Sequence, residues 1–133
     1  MAIVIGSHGL IEDDVVWKVA AGADAYAGPF ILVESGSGDV PVDLTDYEAG
    51  CQVRARLGGN VLATLTSEGG QITIDGPNGE VLVHLPADQS REWLPRQTTA
   101  VFDVELYSPG GGVQRLCSGT LDIKPNSTVE VIP

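Results

Sequence analysis

The chain has 133 residues, of which 43% are hydrophobic and only 5% aromatic. That is enough for one domain with a buried core, and branched aliphatic side chains must fill most of that core, as is typical of strands. The formal net charge is −11, so we expect no nucleic-acid partner, because an acidic chain repels phosphate backbones. The excess of acidic residues indicates that the chain stays soluble before assembly. The alternative is that its acidic surface binds one basic partner.

Membrane insertion and secretion are not expected. No apolar run approaches the roughly 20 residues that cross a bilayer. Residues Met1 to Gly6 lack the basic and long apolar regions of a secretory signal. We therefore expect the protein to be made and kept in a cytosol, at least at first.

Residues 1–13 are predicted to form an N-terminal arm, and residues 14–133 a single β-sandwich domain. The arm is apolar but weakly patterned, and Gly6 and Gly9 weaken any independent strand or helix there. We interpret it as an interaction element whose apolar side chains need a partner surface. The candidate interaction residues of the arm are Ile3, Val4, Ile5, Leu10 and Ile11. The alternative is that Ala2 to Ile5 adds an edge strand to the protein's own sheet.

The rest of the chain is predicted to consist of short strands joined by turns. Strands are predicted at residues 13–20, 29–34, 47–57, 61–66, 71–74, 80–85, 100–107 and 113–123. In the 47–57 strand, apolar side chains alternate with charged and amide side chains, as a half-buried strand requires. Asn78-Gly79 is a strong hairpin signal, and residues 86–95 are the one plausible helix, ended by Pro95. This pattern predicts an all-β, immunoglobulin-like antiparallel sandwich with one short helix, and a Greek-key or jelly-roll variant is the alternative.

Two cysteines, Cys51 and Cys117, are too few for a disulfide scaffold and lack the spacing of metal ligands. Both have the inward parity of their strands, so we expect buried thiols that act as small hydrophobic groups. A bridge formed late, in an assembled extracellular particle, is the alternative.

No enzymatic site is expected, and we predict no catalytic, cofactor or metal residues. The two histidines, His8 and His84, have no second ligand at metal-binding spacing, and no nucleophile elbow or phosphate-binding loop is present. The acidic trio Glu12 to Asp14, like the pair Asp43 and Asp46, lacks the spacing of a calcium loop. We interpret these acids as turn residues and strand-flanking charges.

The two tryptophans, Trp17 and Trp93, complete the candidate interaction residues. A surface tryptophan serves as a sugar platform or an interface anchor. In a chain with so few aromatic residues, packing over an end of the sandwich is an equal alternative.

Three stretches resemble a family of small β-sandwich proteins encoded among the tail genes of siphophages and prophages. Pro41 to Tyr47 with Gln52-Val53-Arg54 resembles that family's opening, P-V-D-L-T-G-Y-x-A-x-x-Q-x-R, although Asp46 replaces its glycine. Leu85 to Asp88 with Trp93-Leu94-Pro95 resembles its short-helix crossover, L-P-A-x-x-T-x-x-L-P. Phe102 to Leu106 with Gly119 to Pro125 resembles its closing hairpin, Y-D-L-E-L followed by G-x-V-x-V-x-P.

This resemblance implies a non-enzymatic structural subunit of a tailed-phage virion, assembled in the host cytoplasm. The expected place is the tail, as a minor tail, collar or baseplate protein that mediates assembly or fibre attachment. Its expected partners are copies of itself, in a homo-oligomer, and other virion proteins. Capsid decoration is the first alternative. A carbohydrate- or receptor-binding module that uses the tryptophans is the alternative from another class.

Overall fold

A computed structural model describes residues 3–6, 12–34, 40–94 and 96–125, with side chains described from residue 15 onward in those ranges. Within them lie nine strands and one short helix. They are β1 (Ile3–Gly6), β2 (Glu12–Ala21), β3 (Ala25–Val33), β4 (Glu48–Arg54), β5 (Val61–Thr66), β6 (Ile72–Asp75), β7 (Glu80–Leu85), α1 (Ala87–Ser90), β8 (Thr99–Tyr107) and β9 (Val113–Pro125).

The strands form two packed sheets. The four-stranded sheet has the order β1-β3-β7-β6, and the five-stranded sheet has the order β2-β9-β8-β4-β5. The orders β3-β7-β6 and β9-β8-β4 correspond to the B-E-D and G-F-C strands of an immunoglobulin sandwich. The predicted all-β sandwich with one short helix is therefore confirmed.

Two strand pairs are parallel, in contrast to the purely antiparallel sheets that we expected. β1 pairs in parallel with β3, and β2 pairs in parallel with β9. Both pairs lie at a sheet edge, and each joins strands that no hairpin connects. Because only hairpin partners must be antiparallel, strands brought together by longer connections can run in the same direction.

The core lies between the sheets and is filled by inward side chains that alternate along each strand. In β4, Ala49, Cys51 and Val53 are buried while the residues between them are exposed or half-buried. Phe30 and Val83 of the four-stranded sheet face this layer and are fully buried. The alternation predicted for residues 47–57 is thus confirmed over β4, and aliphatic side chains supply most of the core.

The predicted separation of an N-terminal arm from the sandwich is not what the backbone shows. Ile3 to Gly6 pairs with Phe30 to Val33, so this stretch is an edge strand of the protein's own sheet. β2 also starts at Glu12, inside the predicted arm. An edge strand satisfies backbone groups that a separate arm would leave to water or a partner. A role of this segment in assembly stays a prediction.

Besides the β1–β2 connection, two crossings carry the chain from the four-stranded to the five-stranded sheet, one after β3 and one after β7. The first, residues 40–47, buries Leu44, whose backbone N–H donates to the Gly76 carbonyl at 2.8 Å. The second contains α1, in the region where the single helix was predicted. Each crossing contributes a buried side chain to the core, Leu44 from the first and Trp93 from the second.

Candidate binding groove on the five-stranded sheet

The two tryptophans, for which a surface role and packing in the sandwich were equal alternatives, are both in the core. Trp17 is 4% exposed and packs edge-on against Phe102, with ring centroids 5.4 Å apart. Trp93 is 9% exposed. Neither offers a ring face to a ligand, so the platform interpretation of these two residues is wrong. The indole Nε1–H of Trp17 is buried and has no acceptor among the described residues.

The other predicted interaction residues lie at or beyond the limits of the described chain. Ile3, Val4 and Ile5 belong to β1, whose backbone position is known. Leu10 and Ile11 lie outside the described residues.

Both cysteines are buried and neither forms a disulfide, as expected. Cys51 and Cys117 are each opposite Val104, so β8 lies between their strands. Two strand spacings amount to about 9–10 Å, beyond the reach of a disulfide without backbone movement. Burial raises the pKa of the Cys51 thiol, so it stays protonated and unreactive near neutral pH.

A groove lies on the outer face of the five-stranded sheet. Its volume is ≈ 690 Å³. The floor is made by outward side chains of β5, β4, β8 and β9, because inward positions of these strands belong to the core. The hairpin after β4 carries Leu57 at one end of the groove, and Tyr107 lies at the other.

Strand register places four polar side chains in one row across the floor. Gln52 of β4 is opposite Thr64 of β5 on one side and Asp103 of β8 on the other. Asp103 is in turn opposite Ser118 of β9. With neighbouring strands about 4.8 Å apart, this row spans about 14 Å.

A second row contains a glycine that makes room for an aromatic ring. Gly50 is opposite Thr66 and Glu105. A Cβ atom at Gly50 would lie 3.1 Å from the Tyr107 hydroxyl oxygen, so the tyrosine ring covers this glycine. The hydroxyl donates to the Glu105 carboxylate at 3.3 Å. Partial burial, followed by the charge of Glu105, raises the pKa of Tyr107.

Two arginines border these rows. The Arg54 guanidinium donates from Nη1 to the Gly59 carbonyl and from Nη2 to Gln52 Oε1, both at 2.9 Å. These bonds tie the hairpin to the floor and leave the Nε2 hydrogens of Gln52 for another acceptor. Arg115 is exposed on β9, opposite Glu105 in the register. Donors and acceptors therefore lie side by side in the groove.

A second polar cluster lies on the outer face of the other sheet. His84 Nε2 and Asp24 Oδ1 are 2.9 Å apart, and the Tyr26 ring stacks on His84 at 4.7 Å. Asp24 also accepts the Ala87 backbone N–H at 3.1 Å. The His84 hydrogen bond, followed by the Ala87 bond, lowers the pKa of Asp24. The sequence predicted that His84 points outward but not these partners, because Asp24 lies 60 residues away.

The described residues contain no group of three or more side chains suited to hold a metal ion. No helix within the described part of the chain is long and apolar enough to cross a membrane. Comparisons of the chain with protein-family models and with curated protein sequences give no match.

Proposed function

We propose that this chain is a non-enzymatic structural subunit of a tailed-phage virion, associated with the tail as a minor tail, collar or baseplate protein. One observation carries the proposal. Two of the three stretches that resemble the phage family coincide with the crossings between the sheets, the one after β3 and the one that contains α1, and the third coincides with the β8–β9 hairpin of the five-stranded sheet. The resemblance therefore concerns positions that determine topology and not strand alternation alone.

The one residue at which the opening motif departs from the family pattern also supports the proposal. Asp46 has φ 66°, in the left-handed region. Glycine adopts this conformation without strain, and aspartate is among the residues that tolerate it. The turn thus has the geometry for which the family's glycine is suited.

Assembly of copies is supported by an edge strand without the usual protection against pairing. β5 (Val61–Thr66) ends the five-stranded sheet and contains no charged residue and no proline. Charges and prolines are the common means by which proteins prevent edge-to-edge pairing. Val61 is 43% exposed on this strand. We propose that β5 contacts a neighbouring subunit, either a second copy or another virion protein.

The test is the composition of purified particles. Tails and capsids are separated on density gradients from the phage or induced lysogen that carries this gene, and each fraction is analysed by quantitative mass spectrometry. We expect several copies of the chain per tail. Recovery with capsids alone would instead support decoration of the capsid, and absence from both fractions would overturn the proposal.

A matched pair of variants tests the edge contact. Thr64→Lys places a charge on β5 and should abolish oligomers in sedimentation velocity without lowering the melting temperature. Thr98→Lys changes an exposed threonine outside the strands and should leave oligomers intact. Equal behaviour of the two variants would exclude β5 as the contact.

A further inference from the structure

We infer that the groove on the outer face of the five-stranded sheet is a binding site for a neutral oligosaccharide. The inference is independent of the virion proposal, because it rests on the groove alone. It also differs from the tryptophan platform, which the burial of both tryptophans removes.

The floor of the groove has the hydrogen-bond donors and acceptors that a sugar requires. A sugar hydroxyl both donates and accepts a hydrogen bond, so its site needs donors and acceptors side by side. Here Gln52 supplies amide hydrogens, Asp103 in the same row supplies carboxylate oxygens, and Thr64 supplies a hydroxyl group. All three line the groove. Planar amide and carboxylate groups of this kind can each engage two neighbouring hydroxyl groups.

The lining of the groove has no net charge. Arg54 and Arg115 contribute +2 to the groove lining, and Asp103 and Glu105 contribute −2, so the lining sums to zero. The whole chain carries −11. The groove is therefore a locally neutral surface on an acidic molecule. A phosphorylated or strongly cationic ligand would have no net attraction to its lining, whereas a neutral polyhydroxylated ligand meets no charge penalty.

An apolar group lies at each end of the groove. Tyr107 is 37% exposed, with its ring fixed over Gly50, and Leu57 is 91% exposed. The C–H faces of sugar rings are apolar and pack on such side chains, as aromatic side chains offer an apolar body with a polar tip. The Tyr107 ring covers Gly50 and Leu57 follows Arg54, so the two groups are separated by more than the distance from Gly50 to Arg54, which is about 13 Å along the strand.

The concave shape of the groove does not fit a second copy of the chain on this face. Two copies of a concave face leave a void between them when they pack isologously. An extended ligand fills such a groove. Arg54, held by Gly59 and Gln52, fixes the floor before binding, so ordering it costs little. We assign Arg54 as a positioning residue, and Gln52, Asp103 and Tyr107 as ligand contacts.

The experiment uses the full chain on an array of defined neutral and acidic oligosaccharides, followed by isothermal titration with the strongest array ligand. We expect binding of a neutral oligosaccharide. Gln52→Ala and Asp103→Asn should each weaken it at least tenfold, and Tyr107→Phe should weaken it less than Tyr107→Ala. Thr73→Ala, on an exposed position of the other sheet, should bind like the wild type.

Thermal melts of each variant separate loss of contact from loss of fold. The inference is overturned if no array oligosaccharide binds, if only acidic glycans bind, or if the floor variants bind as the wild type does. Binding of an extended peptide in place of glycans would also overturn it. None of these outcomes bears on whether the chain is found in phage tails.

Discussion

Asp46 is the only residue other than glycine among the described residues that has a positive φ, at 66°. We predict that Asp46→Gly changes the free energy of unfolding by less than about 1 kcal/mol, because relief of left-handed strain offsets the greater freedom of the unfolded glycine. Asp46→Val should cost about 1–2 kcal/mol, because a β-branched side chain is strained there. Urea denaturation measures both.

The control for this pair is Glu68→Gly, at an exposed turn residue without a positive φ. It should lose about 0.5–1 kcal/mol, because glycine there gains only unfolded-state freedom. If Asp46→Gly loses as much as Glu68→Gly, the left-handed conformation of Asp46 is contradicted.

The buried Cys51 thiol should make the protein less stable in alkali. Its pKa is raised from the ordinary thiol value of 9.0, first by burial and then by Cys117. Because the pKa is raised in the folded protein, the contribution of this thiol to the free energy of unfolding is fully present below the thiol pKa of the unfolded chain. This contribution is lost as the pH rises above that pKa, since only the unfolded thiol then ionises. The slope is about 1.4 kcal/mol per pH unit.

The measurement is urea denaturation of the wild type and Cys51→Ala between about pH 8 and pH 10. The variant should be less stable at pH 8 because of the cavity that it creates, but its stability should fall less steeply. Parallel pH dependences for the two proteins would mean that the thiol ionises in the folded state.

The position of individual side chains relative to the core was largely readable from strand parity. Trp17 is on the same face of β2 as Val15 and Val19, and the charged residues Asp14 and Lys18 are on the opposite face. The burial of Trp17 was therefore predictable from the alternation. Trp93 lies outside any strand and had no such signal. The outward parity of Gln52, Asp103 and Tyr107 was also predictable. Their assembly into one groove depends on register, which no local pattern determines.

At the scale of elements, β1 contributes to the stability of its own sheet. We predict that deletion of Met1 to Gly6 lowers the melting temperature, because it exposes the edge of β3. A loss of about 1 kcal/mol corresponds to about 3–5 °C for a domain of this size. Differential scanning calorimetry measures the shift.

A proline scan provides the matched control for the deletion. In an edge strand, alternate backbone N–H groups face the neighbouring strand. Val4→Pro and Ile5→Pro should therefore differ, since only one of them removes a bond to β3. If neither substitution nor the deletion changes the melting temperature, while oligomers are lost, the segment is an assembly arm as first predicted.

The contact of Asp24 with His84 and Ala87 joins the β2–β3 turn to β7 and the start of α1. The pKa of Asp24 is lowered from 3.8, first by the His84 hydrogen bond. Because the pKa of Asp24 is lowered in the folded protein, the ionised carboxylate stabilises the fold at pH values above the Asp24 pKa of the unfolded chain. This stabilisation is lost as the pH falls through the Asp24 pKa of the folded protein. We predict that acid unfolding begins at a higher pH in His84→Gln than in the wild type.

Asp24→Asn should show a smaller loss of stability than the wild type between about pH 5 and pH 2. Asp88→Asn, in α1, removes an exposed acid that has no hydrogen bond to a described residue, and is the control. Circular dichroism during acid titration follows all four proteins. Identical curves for the wild type and Asp24→Asn would contradict a stabilising role of this contact.

Element types were well predicted because turns and alternation are local signals. β3 is the instructive exception, since its strand was predicted to begin at Pro29 but begins at Ala25. The pairing with β7 shifts between Ala27 and Phe30, so a bulge accommodates the Gly28-Pro29 pair inside the strand. A proline is normally a sign of a strand boundary, and only the partner strand shows that the strand continues.

For the molecule as a whole, the net charge of −11 opposes association of copies. We predict that raising the ionic strength from about 20 mM to about 500 mM strengthens self-association, because salt screens the repulsion between subunits. Sedimentation velocity at several protein concentrations measures this. If salt dissociates the oligomers, ion pairs hold the interface together, and the uncharged β5 edge is not the main contact.

For the whole molecule, the sequence predicted the fold class but not the order of the strands in each sheet. Composition, turn spacing and the single short helix indicated a two-sheet sandwich. The parallel edges were not predictable, because they join residues such as Trp17 and Leu121 that are far apart in the chain. Which strand closes each sheet is decided by packing of the complete fold.

The parallel pairing of β2 with β9 determines how the protein responds to a pulling force. Their ladder joins residues 15–21 to residues 119–125 without interruption. When the chain before β2 and the chain after β9 are pulled apart, every bond of this ladder is stretched at the same time, and none can open before the others. β1 pairs with β3 over only four residues, so we expect it to separate first. Under tension, we therefore expect β1 to detach at low force. The β2–β9 ladder should then resist further unfolding until a higher force is reached.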